Sequence, residues 1–333
     1  MTIVFLSPKF YPHIGGVEKH AFEVAKRLNK KGHKIIVVTE GEKDRRENLN
    51  GIVVYRFNFG EKGWLKKFRI WFKLFTKRKL FNKAKIIHCH DVFIWYLPFR
   101  FIYLRKRVYT TFHGYETEFP LSSKAIFIRK LSEKLSFGNI CVGDYIKRWY
   151  STNPTYVTYG AHDDFRKTPR SRSCNPKKPR LLFLGRIEED NGVSIYSEVL
   201  KKFRKKIIFE ACGDGALKRE FQKYGDVHGF VKNIDPYLDK ADIVFTSSYL
   251  SIINSLYFKK YVFAVYNNPL KKDYLKTAPF AKFLYINNSS ERVYAELSRL
   301  FKIKKVKQNP GFDWARKQTW EEVTNVYKKL FEI

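Results

Sequence analysis

The chain has little that would staple it, repeat it or embed it. Its four cysteines, Cys89, Cys141, Cys174 and Cys212, lie far apart and form no C-x-x-C pair. That excludes a zinc ribbon and a dense disulfide framework, and it fits a reducing compartment. Eighteen glycines and twelve prolines in 333 residues are too few for a fibrous or low-complexity protein. No stretch approaches the ~20 uninterrupted apolar residues of a membrane span. The apolar run Ile3 to Leu6 ends at once in Ser7-Pro8-Lys9, too short for a secretory leader. The expected location is therefore the cytoplasm. Acid is scarce as well: 65 Lys and Arg face 32 Asp and Glu, a net charge of +33. Such an excess favours an anionic partner, whether nucleic acid, an anionic membrane surface or a phosphorylated substrate.

What is present is apolar surface in quantity. Hydrophobic residues make up 44% and aromatics 17%, enough to build cores and to exclude a disordered chain. At ~150 residues per domain the length suggests two domains. Thr2–Ser7 reads as a short buried strand. Gly15-Gly16 then opens a helix, Val17 to Leu28, with apolar residues at Val17, Ala21, Val24, Ala25 and Leu28, stopped by Gly32. Lys34–Thr39, Ile52–Phe57, Lys85–His88 and Val108–Phe112 continue as strands. The same grammar restarts at Arg180–Leu184, followed by a helix from Gly192 to Lys202. Strands at Lys206–Ala211, Asp226–His228, Asp242–Phe245 and Tyr261–Val265 come next. Short apolar runs alternating with helices predict doubly wound parallel sheets. The polar, proline-punctuated stretch Phe165 to Pro179 is the expected linker. Two such domains in tandem, their strand ends facing across a cleft, would place ligands beyond the carboxyl ends of the strands.

Several residues at those ends suit chemistry. Gly15 and Gly16 sit at a helix start after the first strand, where bare backbone N–H groups and the helix dipole favour an anion; a tight turn is the alternative. Their spacing is not the G-x-G-x-x-G dinucleotide pattern. Gly185-Arg186 opens a second strand–loop–helix passage, and Arg186 is placed to meet a phosphate unless Glu188 or Glu189 claims it. Gly213 and Gly215 flank a third turn whose small residues leave room beside a sheet edge. His88 and His90, with Asp91 next, invite a metal reading, but no fourth ligand is evident and no metal is expected. His113 before Gly114 follows a strand, a position suited to touching a ligand or to a hydrogen-bonded turn.

Lys62 to Lys85 holds ten Lys or Arg and no acid. Trp64, Phe68, Trp71, Phe72 and Phe75 recur there at helical spacing, and Arg100 to Arg107 repeats the mixture. A helix of this kind would lie on an anionic bilayer, with Trp64 and Trp71 at the interface and Lys66, Lys67, Arg69 and Lys73 toward the headgroups. The alternative is an ordinary core stripe with solvated lysines. Aromatics among bases also suit single-stranded nucleic acid. No RNA-binding signature, zinc finger or helix-turn-helix accompanies them, so nucleic acid is not the expected partner.

In this order the motifs resemble family-4 retaining glycosyltransferases of the GT-B fold, over nearly the whole chain. The resemblance rests on Phe10-Tyr-Pro-His-Ile-Gly-Gly-Val-Glu-Lys-His20, Thr111-Phe-His-Gly-Tyr-Glu116, Val142-Gly-Asp-Tyr-Ile-Lys147 and Tyr159-Gly-Ala-His-Asp-Asp-Phe165. Phe183-Leu-Gly-Arg186, Gly213-Asp-Gly215, Val227-His-Gly-Phe-Val231 and Phe312-Asp-Trp314 carry it through the second half. It implies two Rossmann-like doubly wound domains: an acceptor domain over 1–164, with a helix at 313–333 crossing back, and a nucleotide-sugar domain over 165–312. It also implies a metal-independent, retaining transfer of hexosyltransferase type, from a nucleotide-diphosphate sugar to a lipid-linked or surface-glycan acceptor. No cofactor is expected beyond that donor. The enzyme would work at the inner face of the membrane, peripherally bound.

By the same resemblance His113 contacts the transferring sugar, and Arg186 binds the diphosphate and stabilises the leaving group. Gly15, Gly16, Gly185, Asn191, Gly213, Gly215, Ser251 and Asn254 surround the donor. The chain departs from the family pattern at two of these. Asn191 stands where the pattern G-R-x-x-x-x-K-G has lysine, and Asn254 where the second glutamate of Glu-x7-Glu is expected. The first glutamate has no counterpart, because Thr246 to Ser251 reads as a shortened loop. Lys232, Lys271 and Lys272 are the cations that could restore the missing charge. These departures keep open an alternative: a catalytically impaired, glycosyltransferase-like binding or scaffold protein.

Overall fold

A computed structural model describes residues 1–61, 63–114, 119–163, 178–204, 206–302 and 309–333. Cys174, Lys62, Tyr115, Glu116 and nearly all of the expected linker fall outside them. The chain divides into two units, Met1–Thr158 with Trp320–Ile333, and Tyr159–Thr319.

The first unit is built on eight strands: β1 (Thr2–Ser7), β2 (Lys34–Glu40), β3 (Arg45–Leu49), β4 (Ile52–Phe57), β5 (Ile86–His90), β6 (Arg107–Phe112), β7 (Gly138–Val142) and β8 (Tyr156–Thr158). Their order across the sheet is β3-β4-β2-β1-β5-β6-β7-β8. All pairs are parallel except β3 with β4. Helices cover both faces, which is why Ile3 to Leu6 and Ile35 to Val38 are buried without alternation. β3 reads Arg-Arg-Glu-Asn-Leu and is mostly exposed. An antiparallel edge strand with one face in water carries no apolar run, so nothing in its composition announces it.

Helix Gly16–Lys30 buries His20, Ala21, Val24, Ala25 and Leu28 along one stripe. The chain reverses at Gly32, whose φ of +85° suits glycine. The C-terminal helix Trp320–Phe331 packs on this one. Its Tyr327 hydroxyl reaches two elements at once: it shares a hydrogen bond with Thr111 Oγ1 of β6 at 2.9 Å and another with His20 Nε2 at 3.0 Å.

The second unit has six strands: β9 (Arg180–Leu184), β10 (Ile208–Cys212), β11 (Asp226–Val227), β12 (Ile243–Phe245), β13 (Tyr261–Val265) and β14 (Leu284–Asn287). They run parallel in the order β11-β10-β9-β12-β13-β14. Numbered within the unit this is three-two-one-four-five-six, the order whose switch point lies beside its first strand. Phe183, Tyr196, Phe245 and Phe263 fill one side of the sheet.

The unit boundaries differ from those expected from sequence. Tyr159–Asp163 belongs with the second unit: His162 N–H donates to Gln318 O at 2.9 Å, and Asp163 N–H donates to Asn254 Oδ1 at 2.9 Å. Phe312–Thr319 stays there too, because helix Phe312–Ala315 packs on helix Tyr249–Tyr257 and Trp314 meets Phe280 edge-on. The return to the first unit therefore begins at Trp320, not at residue 313.

The doubly bonded Tyr327 hydroxyl leads to a stability prediction. Tyr327→Phe leaves two buried polar atoms short of a partner and should cost about 1–3 kcal/mol. Denaturant unfolding of the two proteins measures this, and an unchanged midpoint would contradict it.

Candidate active site

In the second unit the loop after β9 is fixed from behind. Gly185 has a φ of +144°, and Gly192, at +79°, ends the short 3-10 turn Glu189–Asn191. The turn after β10 lies directly against this loop. A Cβ at Gly213 would collide with the Gly185 carbonyl, and one at Gly215 with that of Ile187. The space left by these glycines is taken by the protein's own backbone, not kept open for a ligand as their size suggested. Ile187 N–H donates to Asp214 O at 2.9 Å and fastens the two turns together.

Asn191 is the hinge pin of this loop. It is buried; its Nδ2 donates to Arg186 O at 2.9 Å, while its Oδ1 accepts from Ser248 Oγ at 3.4 Å and from Lys271 Nζ at 3.5 Å. Three strand ends, those of β9, β12 and β13, are thereby tied to one amide. Arg186 remains 54% exposed at the side chain, and its Nη2 donates to Asp190 Oδ2 at 2.6 Å. Glu188 or Glu189 is the partner expected from sequence. Glu188 instead accepts from Ala216 N–H.

Asn254 sits elsewhere. Its Oδ1 accepts from Asp163 N–H and its Nδ2 donates to Asp163 Oδ2 at 3.3 Å. Both ends of the amide are spent on anchoring Tyr159–Asp163. The loop after β12 is shorter than expected from sequence: it is only Thr246–Ser248, and Ser251 lies inside helix Tyr249–Tyr257. There its carbonyl accepts from Ser255 Oγ.

In the first unit Gly15 is the extended residue before helix Gly16–Lys30, and a side chain at Gly16 would meet nothing within 4 Å. Inside that helix start lies a cluster of four buried histidines, His20, His88, His90 and His113. His90 Nδ1 and His113 Nε2 share a hydrogen bond at 2.8 Å. His88 Nε2 bonds Thr111 Oγ1 at 2.8 Å, which continues through Tyr327 to His20. Asp91 Oδ1 accepts the His113 backbone N–H at 3.0 Å. Burial holds all four imidazoles neutral: His20 is pushed down to about 3, and His88, His90 and His113 lie well below the ordinary value. Among the described residues no group of three His, Cys, Asp or Glu is arranged to hold a metal ion.

The basic segment forms two helices, Lys66–Thr76 and Arg78–Lys83. Ile70 and Leu74 face the core, and Trp71 turns inward, its Nε1–H donating to Ile94 O at 2.8 Å. Lys66 pairs with Glu40, and Lys73 with Asp44. Of the six expected membrane residues, these three are therefore engaged by the protein. What remains outward is a second apolar face: Trp64 at 78% exposure, Phe72 at 72%, and Phe68 and Phe75 beside it. Among the described residues no helix is long and apolar enough to cross a membrane.

The profile of Glycosyltransferase Family 4 matches residues 14–155, almost the whole first unit. The first unit is similar to Glycosyltransferase Family 4. A Rickettsia africae glycosyltransferase superposes with a TM-score of 0.72 at 18% identity, covering 99% of this chain and 98% of that one. Anabaena Alr3699/HepE, solved in complex with UDP and glucose, gives 0.71 at 12% identity, with 99% of each chain covered. The fold is accordingly GT-B. The Saccharomyces cerevisiae (strain YJM789) phosphatidylinositol N-acetylglucosaminyltransferase GPI3 subunit is 22% identical over 259 residues, which is 70% of this chain and 57% of the yeast protein. This chain thus matches less than two thirds of that relative's length.

In the first unit the sequence pointed to His113 but not to His20, Thr111 and Tyr327, which lock the cluster around it. Only their polarity within apolar runs hinted at them. In the second unit it found Arg186 and Asn191 and missed Ser248 and Asp190. Both lie at strand-end loops, the one positional clue available.

The neutral histidines make the first unit sensitive to acid. Their folded pKa values lie below the unfolded value near 6.5, so the unfolded chain takes up protons first as pH falls. Their contribution is complete above pH 6.5 and is lost below it, by up to about 1.4 kcal/mol per pH unit for each group. Thermal unfolding should show Tm falling by several degrees from pH 7.5 to 5.5. A flat or rising Tm over that range would refute it.

Proposed function

We propose that the protein is a glycosyltransferase that takes a sugar from a nucleoside-diphosphate sugar held on the second unit and passes it to a lipid-linked acceptor. The observation that carries this reading is the fixed loop Gly185–Gly192 at the switch point of the three-two-one-four-five-six sheet, with exposed Arg186 on it. In sugar transfer negative charge grows on the departing diphosphate. A guanidinium and backbone N–H groups already held in place stabilise that charge without having to reorganise. Arg186 supplies the charge, and Asp190 holds it until a phosphate replaces the carboxylate. The HepE complex with UDP supports a uridine nucleotide as the first to try.

His113 is proposed to contact the transferring sugar as a neutral imidazole, oriented by His90 and Asp91. Gly16, with open space in front of it, would let donor phosphate and acceptor approach the helix start. The reaction is proposed to retain the anomeric configuration and to need no metal. An acceptor on a lipid is supported by the name of the yeast relative, which pairs phosphatidylinositol with N-acetylglucosaminyl transfer. It is supported also by a cavity of ≈ 250 Å³ whose lining includes Ile70, Trp71, Trp95 and Ile128 together with Lys67 and Asp91.

Peripheral attachment to the cytoplasmic face of an anionic membrane completes the proposal. Trp64, Phe68, Phe72 and Phe75 would insert, while Lys67, Arg69, Lys77 and Lys79 face the headgroups. Each base near such a surface is worth ~1 kcal/mol, within a Debye length of about 8 Å. A scaffold without turnover is the second reading, favoured by the engagement of both the oxygen and the nitrogen of the Asn254 amide by Asp163.

Two experiments test these points. Arg186→Ala should weaken binding of the preferred nucleoside diphosphate at least tenfold by calorimetry; equal affinity in a folded variant removes Arg186 from the donor site. Sedimentation with anionic and neutral liposomes should show binding to the anionic ones that weakens in high salt without vanishing. It should drop on changing Lys67, Arg69, Lys77 and Lys79 to Gln, and again with Phe68→Ser and Phe72→Ser. Equal binding to both lipids would refute attachment by charge.

A further inference from the structure

Of the three cations that could stand in for a lysine at position 191, the fold selects one. Lys232 and Lys272 are exposed. Lys271 is 3% exposed, in the first turn of helix Pro269–Lys276, whose Asn268 cap accepts the Lys271 backbone N–H at 2.8 Å. Its Nζ lies 3.5 Å from Asn191 Oδ1 and 4.5 Å from the Tyr274 ring centroid. Asn191 in turn holds the Arg186 carbonyl. The ammonium thus stands one amide behind the loop that carries Arg186.

Keeping a cation there is costly, because burial disfavours the charged form. An aliphatic side chain would fill the same space without that cost. The position makes sense if the charge is used. We propose that Lys271 is a positioning residue of the donor site: its ammonium fixes the Asn191 amide and sets a positive potential behind Arg186 that favours a diphosphate on the Gly185–Gly192 loop. The inference rests on the donor-site reading above and adds to it the second charge of that site. Lys271 does not touch the ligand. It acts through Asn191 and through space, and the exposed Arg186 makes the contact.

Among the described residues the charged groups that act on Nζ are Asp190, which favours the ammonium, and Arg186, which opposes it; Tyr274 faces it from its own helix. Burial outweighs them and brings the Lys271 ammonium down to about 8. The charge is therefore present at pH 7 and is titrated away by pH 9.5. A side chain that merely fills space would impose no such dependence on nucleotide affinity.

The test is calorimetric binding of UDP, ADP, GDP and dTDP to the whole protein at pH 7.0 and 9.5, with Lys271→Met and Lys271→Arg measured beside it. The inference expects wild-type affinity for the preferred nucleotide to fall about tenfold between the two pH values. Lys271→Met should bind about tenfold more weakly at pH 7.0 and show little further loss at pH 9.5. Lys271→Arg should restore binding and also flatten the profile, because arginine keeps its charge. Should Lys271→Met fail to fold, the wild-type and Lys271→Arg profiles decide the matter between them. A wild-type affinity that does not change with pH overturns the role of Lys271 and leaves the donor site standing. A wild type that binds none of the four nucleotides overturns the donor-site reading itself, and this inference with it.

Discussion

The second unit depends on one buried amide. Asn191 ties the carbonyl of Arg186 to Ser248 and Lys271, so the ends of β9, β12 and β13 form one fixed edge. A buried amide needs its partners, and losing any of them leaves a polar group unpaired in a dry site. That requirement is what makes the loop stiff. A stiff loop with an exposed arginine is what anion recognition at a sheet edge needs, because charge already held in place need not be organised when the ligand arrives. The glycines at 213 and 215 serve the same end, letting a second turn pack against the first.

The first unit reaches rigidity by another route. Among its buried polar groups are four histidines, kept neutral by desolvation and bonded to one another and to Thr111 and Tyr327, while His88 Nδ1 and His90 Nε2 have no hydrogen-bond partner among the described residues. The C-terminal helix is therefore part of this unit's interior although it lies far away in sequence. Placing His113 in such a cluster fixes its ring while holding off its proton. A neutral imidazole is a hydrogen-bonding group with no charge of its own, suited to touching a sugar hydroxyl and unsuited to gripping a phosphate.

Much of the architecture was legible because parallel strands covered on both faces must be apolar throughout. Runs such as Ile-Val-Phe-Leu and Leu-Leu-Phe-Leu announce themselves, and glycines at the following turns mark the strand ends. The edge strand Arg45–Leu49 carried no such signal. The basic segment was read correctly as helical, but charge and aromatic spacing alone could not show which side faces the core. Ion pairs with Glu40 and Asp44, distant in sequence, decided that for Lys66 and Lys73. In the candidate site, residues standing directly after a strand, Arg186 and His113 among them, were legible from position. Lys271 was only one of three possible cations, because burial is a property of the folded chain. Asn254 was placed by motif at the ribose, and its bonds to Asp163, 91 residues away, could not be read from sequence.

The central claim is sugar transfer to a lipid, and one assay addresses it directly. Purified protein is incubated with radiolabelled nucleotide-sugars and membrane lipid in EDTA-containing buffer, and label in the organic phase is counted. The account predicts that label from one donor enters the lipid fraction, and that Arg186→Ala abolishes the transfer. A protein that binds the nucleotide yet moves no label into lipid under any of these donors would contradict the account and establish the scaffold in its place.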